Sequence, residues 1–286
     1  MASTPWVILL GLGLVVWYAL ASLVTPAKTQ LPNVLRRFCV PLFFGLWLLF
    51  LWQMLVTGLS IPEVLLPAPT LIGQTLLSNG PTLWADFQQT FIKASLSGFA
   101  LGSGSGLLIA IAVDRNDFLR RGLLPLGNFV SALPIVGIAP IMVMWFGFDW
   151  QSKSAVVTVM TFFPMLTGAT IGLATAPRDQ LDLMRSYGAS YLQVLLRLRL
   201  FHAMPFIFNA LKINATLSLI GAIVAEFFGT PIVGMGFRIS AEIGRLNMDM
   251  IWATIAVAAA TGSAFYGLLA LVERRMTFWH PSIRQG

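Results

Sequence analysis

The chain has 286 residues, of which 57% are hydrophobic and only 10% are charged, and its formal net charge is +7. Because soluble domains contain roughly 25% charged residues, this composition excludes a soluble globular protein and indicates one that spans a membrane. The basic residues are not interleaved with aromatic ones as in proteins that bind single-stranded nucleic acid. We therefore expect no nucleic-acid partner, and we attribute the positive charge to membrane topology and contact with anionic lipids.

Seven apolar windows are long enough to cross a bilayer core of ~30 Å, which takes about 20 helical residues. In chain order they are 1–27, 38–62, 94–113, 122–148, 154–177, 203–225 and 250–272. The first window is longer than a usual signal-peptide core and no basic residue precedes it, which favours an uncleaved helix over a secretory signal. The sequence thus predicts an all-α polytopic membrane protein, with an extra amino-terminal transmembrane helix over 1–30 and a transmembrane domain over 31–286.

The lysines and arginines orient these spans, because cytoplasmic loops carry the excess of basic residues. If the loop after the first span is cytoplasmic, thirteen of the 18 basic residues lie in cytoplasmic loops, four lie outside, and Lys212 lies within a span. This predicted topology places the loop over about 178–203 in the cytoplasm and the segment after the sixth window outside.

Two of the spans contain residues that disturb or tighten helix packing. Glycines at 98, 102 and 106 form a small-residue face, which favours close packing within the chain over a dimer interface. The window 122–148 contains three prolines together with Asn128 and Ser131. Prolines kink spanning helices, and such interrupted spans are frequent around transport paths, but simple packing irregularity explains the pattern equally well.

The loop over about 178–203 is the most polar part of the chain between two spans. Apolar residues from Leu181 to Leu195 recur at helical spacing, whereas Asp179, Asp182 and Arg185 occupy the other side. Gly188 interrupts the pattern, so we expect a helix, a turn and a second helix. The spacing alone leaves two interpretations open, a surface that a cytoplasmic partner holds and an interfacial helix without a partner.

Polar residues also occur within and just after the sixth window. Asn209, Lys212 and Asn214 are candidates for a translocation path, and Lys212 is costly in a membrane, by about 2.5–3.5 kcal/mol at the bilayer centre. Glu226 lies at the external end, where we expect it to pair with Arg238 as a gate, with an ordinary interfacial acid as the alternative. The segment 229–249 is glycine-rich and predicts a re-entrant or interfacial structure on the outside.

The sequence contains no recognisable metal-binding, catalytic or nucleotide-binding motif. It contains one cysteine and two histidines without metal-ligand spacing, so we expect no metal site. Catalytic and nucleotide-binding motifs are also absent from the sequence, which predicts a protein that is not an enzyme. An ion-driven secondary transporter usually has several ionisable groups in mid-membrane. Lys212 is the single candidate here, so that function remains the alternative.

The cytoplasmic loop resembles the coupling motif of bacterial ABC importer permeases, which is Glu-Ala-Ala, three residues, then Gly-Ala. In this chain Asp182 stands for the glutamate, and Gly188 and Ala189 match the final pair. The segments 67–69, 132–147 and 224–229 are similar to permeases of the nitrate/sulfonate/taurine type. The resemblance covers roughly residues 38–280.

This resemblance implies a six-helix type I importer core in the bacterial inner membrane, beside the extra first helix. It implies a homodimeric pore, two cytoplasmic subunits that bind ATP and Mg²⁺, and a periplasmic or extracellular substrate-binding protein. The cargo it implies is a small organic solute, either a pyrimidine-type thiamine precursor or a sulfonate- or nitrate-like anion. The coupling residues are then Asp182, Arg185, Ser186, Tyr187, Gly188 and Ala189. The candidate path and gate residues are Asn128, Ser131, Asn209, Lys212, Asn214, Glu226 and Arg238.

Overall fold

A computed structural model of the chain describes residues 33–131 and 134–278, together with positions 13, 15, 16 and 18. The described residues are helical and contain no strand, which confirms the predicted all-α class. The predicted helix over 1–30 lies almost entirely outside the described residues. The α-helices are α1 (Asn33–Gly58), α2 (Pro69–Ser78), α3 (Gly80–Phe87), α4 (Leu96–Arg115), α5 (Asp117–Ser131), α6 (Ile135–Phe146), α7 (Trp150–Leu173), α8 (Arg178–Ser186), α9 (Tyr191–Val194), α10 (Leu200–Glu226), α11 (Met235–Gly244) and α12 (Met248–Met276).

Two π-helical segments join shorter helices into long ones. Gln88–Ser95 connects α3 to α4, and Leu195–Arg199 connects α9 to α10. Each continuous helix is 36 residues long, which is about 54 Å at 1.5 Å per residue and exceeds the ~30 Å bilayer core. The ends of both helices therefore extend beyond the hydrocarbon, and these ends carry polar residues.

Five helices of the described chain are long and apolar enough to cross a membrane: Val40–Gly58, Gly80–Arg115, Trp150–Leu173, Tyr191–Glu226 and Met248–Met276. The window 122–148 does not form one continuous helix, because α5 ends at Ser131 and α6 begins at Ile135. Pro134 is the extended N-cap residue of α6, with φ −69° and ψ 127°. Proline has no backbone N–H to continue a helix, but a helix tolerates it at its start.

The chain divides into two compact units, the residues up to 79 with 242–253, and 80–241 with the remainder. In the first unit, the side-chain oxygen of Gln53 accepts from the backbone N–H and hydroxyl of Thr70 at 3.1 and 3.2 Å. Thr75 donates to the Asp249 carboxylate at 2.7 Å. These bonds fix the start and the middle of α2 against its neighbours.

In the second unit, α4 packs against α7 through the predicted glycine face. A Cβ added at Gly98 would lie 2.5 Å from Cβ of Val157, and one at Gly102 would lie 2.0 Å from the Thr161 hydroxyl. Gly106 similarly approaches the backbone of α7. The expectation that this face packs within the chain is therefore confirmed, since any side chain there would force the two backbones apart.

Helix α10 also packs against α7, again through small residues. Gly172 contacts Ala203 so closely that a Cβ on the glycine would be 3.0 Å from Cα of that alanine. Ala169, Ala203 and Leu166 are fully buried in the shared core. Helix α7 thus packs against both α4 and α10 at the centre of the second unit.

Candidate functional site

The cytoplasmic loop forms an exposed helix with a fixed end. Helix α8 follows Pro177 and buries none of its residues. At its end the N–H of Gly188 donates to the carbonyl of Arg185, and the N–H of Ala189 donates to the carbonyl of Met184, at 2.9 and 3.0 Å. This pair of bonds is the Schellman motif, which satisfies the last helical carbonyls and requires a left-handed residue. The Gly188–Ala189 pair of the predicted coupling motif therefore ends helix α8.

Gly188 is needed for its conformation and not for its size. Its φ is +69°, in the region that favours glycine. A Cβ there would meet nothing within 4 Å. The chain then turns into α9, whose first turn is closed by a capping box in which Ser190 and Gln193 exchange hydrogen bonds. The predicted helix, turn and helix are confirmed.

The predicted coupling residues lie together on this exposed surface. Asp182 and Arg185 form an ion pair of 3.2 Å on the solvent side of α8. Ser186 bonds back to the carbonyl of Leu183, and the Tyr187 side chain is 81% exposed. A large exposed tyrosine beside a fixed turn is available to a partner protein.

The loop is anchored to the cytoplasmic end of α4, a contact that the sequence did not predict. The Tyr191 hydroxyl donates to the Asp114 carboxylate at 3.1 Å, and the Arg199 guanidinium pairs with the same carboxylate. The guanidinium of Arg115 lies over the Tyr191 ring, 5.6 Å from its centroid, which is a cation–π contact. We call Asp114, Arg115, Tyr191 and Arg199 the cytoplasmic anchor. Its members are up to 85 residues apart, so no local motif signals it.

At the external end, Glu226 terminates α10 and is almost fully buried. Its carboxylate accepts from the Thr90 hydroxyl at 2.8 and 3.0 Å and from the N–H of Gly236 at 2.7 Å. The Thr90 oxygen in turn accepts from the N–H of Met235. These N–H groups belong to the first turn of α11, where unsatisfied donors and the helix dipole favour an anion.

The predicted Glu226–Arg238 pair is not the one that forms. Arg238 instead donates to both oxygens of Asp86, at 2.8 and 3.3 Å. Asp86 also accepts from the N–H of Gly234. Because Met235 begins α11, Arg238 follows one turn later and faces α3, where Asp86 lies four residues before Thr90. We call Asp86, Thr90, Glu226 and the segment 234–238 the external clasp.

Glycine is obligatory where the clasp passes over the Glu226 carboxylate. Gly234 has φ +139°, and a Cβ there would lie 2.6 Å from a carboxylate oxygen. A Cβ on Gly236 would lie 2.2 Å from the carbonyl oxygen of Ile223. The glycine-rich segment after α10 is thus a close cover on a buried acid.

A second group of polar contacts joins α7 to the same region. Asp149 caps α7 through its bond from Trp150 N, and it accepts from the Gln89 amide at 2.7 Å. The hydrogen bond from Gln89 lowers the pKa of Asp149 below its ordinary value. The Lys153 side chain is buried, and its ammonium donates to backbone carbonyls, including that of Gly229.

The candidate path residues do not share one surface. Lys212 pairs with Glu273 of α12 at 2.7 Å, near the cytoplasmic side. Asn214 is fully buried and donates to Ser103 and to the carbonyl of Thr161, so it lies in the packing of α4, α7 and α10. Asn209 is exposed on α10. The side chains of Asn128 and Ser131 lie outside the described residues.

Within the described residues, no cluster of three or more histidine, cysteine, aspartate or glutamate side chains could hold a metal ion.

Comparisons with known proteins agree with this architecture. The model of the family "Binding-protein-dependent transport system inner membrane component" matches residues 102–278. A probable ABC transporter permease protein of Haemophilus influenzae is 30% identical over 80% of this chain and 93% of its own length. The riboflavin transport system permease protein RibX of Chloroflexus aurantiacus is 30% identical over 82% of this chain and 88% of its own length.

A further relative is the formylaminopyrimidine transport permease protein ThiX of Halalkalibacterium halodurans, 26% identical over 84% of this chain and 95% of its own. Among solved structures, a chain of the MetNI methionine ABC transporter in an inward-facing conformation superposes with a TM-score of 0.56 at 19% identity, over 71% of this chain and 98% of that one. This likeness concerns the fold. The chain belongs to the binding-protein-dependent transport inner-membrane component family of ABC transporter permeases, and it is a multi-pass inner-membrane protein.

Proposed function

We propose that this chain is the membrane-spanning subunit of an ATP-driven importer for a small organic solute. The observation that carries the proposal is the exposed helix α8, which ends in a rigid Schellman turn at Gly188 and is anchored through Tyr191 to the end of α4. A force applied to α8 therefore has a direct route into a transmembrane helix. Family membership supports the same conclusion.

In this proposal two cytoplasmic ATPase subunits hold the surface around Asp182, Arg185 and Tyr187. These partners bind ATP and Mg²⁺ and perform the hydrolysis, while this chain contributes no catalytic group. When the ATPases move, α8 and α9 transmit the displacement to α4 through the cytoplasmic anchor and to α10 through the continuous helix. The change of access from outside to inside follows from the rearrangement of these helices.

The external clasp is the proposed gate. It covers the end of α10 with the segment 234–238, and it is fixed by a buried carboxylate on each of two long helices, Asp86 and Glu226. An external substrate-binding protein would deliver cargo on this side. A second copy of the chain would complete the pore, with membrane lipids around the dimer.

The cargo is proposed in two classes. One is a neutral heteroaromatic solute such as a pyrimidine-type thiamine precursor, which the names of the formylaminopyrimidine and riboflavin relatives favour. The other is a sulfonate- or nitrate-like anion.

The test is gentle affinity purification of the wild-type chain and of a Gly188→Leu variant from native membranes. We expect an ATPase subunit in stoichiometric amount with the wild type. The variant should insert normally but lose both the ATPase and uptake, because leucine at a left-handed position costs about 1–2 kcal/mol and disrupts the turn.

Gly122→Leu is the matched control, since that glycine also has open space around it and lies at the cytoplasmic side with an ordinary φ. Uptake that persists without ATP and collapses with the ion gradient would instead support the secondary transporter. Wild-type uptake by the Gly188→Leu variant would refute the coupling role.

A further inference from the structure

An open cavity of about 500 Å³ lies between α6 and the external half of α7, with Leu101 of α4 at its side. Its aromatic walls are Trp145, Phe146 and Trp150, and its polar lining comes from Gln151, Ser154 and Thr158. From Trp150 to Thr158 the α7 axis rises about 12 Å. The cavity therefore extends from the external membrane surface toward the middle of the bilayer.

The cavity is lined without any charged side chain. Lys153 lies on the same helix, but its ammonium is buried and donates to backbone carbonyls of the segment before α7 and of Gly229. Anions are normally held by charged or backbone N–H donors. The lining of this cavity contains no charged donor, so it is unsuited to a sulfonate or nitrate.

The aromatic residues instead suit a flat, uncharged ring. Tryptophan and phenylalanine offer π-faces that stack on heteroaromatic rings with little dependence on the identity of the ring. The Trp145 and Phe146 side chains are 71% and 53% exposed, so their faces are accessible in this chain. Ligand sites in proteins typically combine such walls with a few polar groups that set orientation.

Gln151 supplies that polar group. Ser154 already bonds to the hydroxyl of Ser97, and the Thr158 hydroxyl donates to the Ser154 carbonyl. The Gln151 side chain is exposed and makes no hydrogen bond within the described part of the chain. Its amide presents a donor and an acceptor side by side, which matches the adjacent donor and acceptor on the edge of an aminopyrimidine or a flavin.

We propose that this cavity binds a neutral planar heteroaromatic solute during import, with Trp145 and Phe146 stacking on the ring and Gln151 reading its edge. The inference rests on the proposed import function, and it selects one of the two proposed cargo classes. A lipid chain would leave the Gln151 amide without a partner, and a second copy of this chain is the other competing occupant.

The test is cysteine protection in membranes that contain the complete transporter. Cys39→Ser removes the chain's one native thiol, and Ala155→Cys places a thiol on the cavity wall. A membrane-impermeant maleimide is applied from outside, with and without formylaminopyrimidine, riboflavin or butanesulfonate. At about ten times Kd, a bound heteroaromatic should slow labelling about tenfold, whereas butanesulfonate should not. Met144→Cys is the control, because that exposed side chain does not line the cavity.

Every other pattern overturns the proposal. Protection by butanesulfonate, or by none of the three solutes, would exclude a heteroaromatic site. Labelling by a lipid-soluble maleimide but not by the impermeant one would indicate an acyl chain. Cross-linking of two Ala155→Cys chains by a short bis-maleimide would indicate a second copy.

A second measurement separates this inference from the proposed function. The Gln151→Ala variant should lose protection by the heteroaromatic while the ATPase still co-purifies with it. If protection occurs but no ATPase is recovered, the site stands and the ATP-driven function fails. If the ATPase is recovered and Gln151→Ala still shows full protection, the role of Gln151 fails.

Discussion

Replacing Glu226 by alanine should open the external clasp. The substitution removes the acceptor for two buried donors, the Thr90 hydroxyl and the N–H of Gly236. A buried donor left without a partner costs about 1–3 kcal/mol, so the closed clasp should lose about 2–6 kcal/mol. Since 1.4 kcal/mol is a factor of ten, the population of open clasp should rise about 30-fold or more.

The assay is amide hydrogen exchange of the segment 229–238 in detergent or nanodiscs, followed by mass spectrometry. The N–H groups of Met235 and Gly236 are held only while the clasp is closed, so their exchange should accelerate by the same factor. Glu63→Ala is the matched control, because Glu63 is an exposed acid on the same side of the membrane. Unchanged exchange in the Glu226→Ala variant would refute the conclusion that this carboxylate fixes the segment.

Three further predictions concern the helices. Gly102→Ala should destabilise the fold by about 1–3 kcal/mol, because the added methyl group overpacks the contact with α7. Gly104→Ala is the control, since that glycine lies on the open side of α4 and its substitution should not destabilise the fold. Thermal unfolding of the purified chain measures both variants. Lys212→Met should destabilise the fold by up to about 3–5 kcal/mol, because it leaves the Glu273 carboxylate without this partner. In the same assay, adding Glu273→Gln to this variant should restore most of the lost stability. Tyr191→Phe should weaken the cytoplasmic anchor by about 0.5–1.5 kcal/mol and lower uptake per ATP hydrolysed in proteoliposomes, where an unchanged ratio would count against the anchor's role.

The parts of the structure that the sequence predicted depend on short-range patterns. The glycines of α4 are spaced by four residues, which places them on one helical face whatever the rest of the fold is. Gly188 and the polar residues before it define a helix end within ten residues. In each case the physical constraint involves residues that are close along the chain, so a single sequence is enough to predict the feature.

The parts that it did not predict depend on which distant residues meet. Glu226 has several possible partners in sequence, and the start of α11 at Met235 determines that Gly236 reaches it while Arg238 reaches Asp86. The structural roles of the three prolines in the window 122–148 were also not predictable from the sequence. Pro125 and Pro140 lie inside helices, whereas Pro134 begins one, and their local sequences do not distinguish the three.

The π-helical segments are a further feature without a clear sequence signal. A π-turn holds an extra residue, which rotates all later side chains around the helix axis. The segment Gln88–Ser95 contains the clasp residue Thr90 and lies between Asp86 of α3 and the glycine face of α4. It therefore sets how the external clasp and the packing face are oriented relative to each other on one helix.

The two long helices are joined to each other near both of their ends. At the external end, Thr90 of the Gly80–Arg115 helix bonds to Glu226 of the Tyr191–Glu226 helix. At the cytoplasmic end, Asp114 of the first helix bonds to Tyr191 of the second. Between these points lie Ser95–Ser218 and Ser103–Asn214 hydrogen bonds. Because the pair is connected near both ends and in between, we propose that a displacement of α8 at the cytoplasmic surface would move both helices as one body. In that proposal the external clasp, which holds the segment after α10, would release when this body moves.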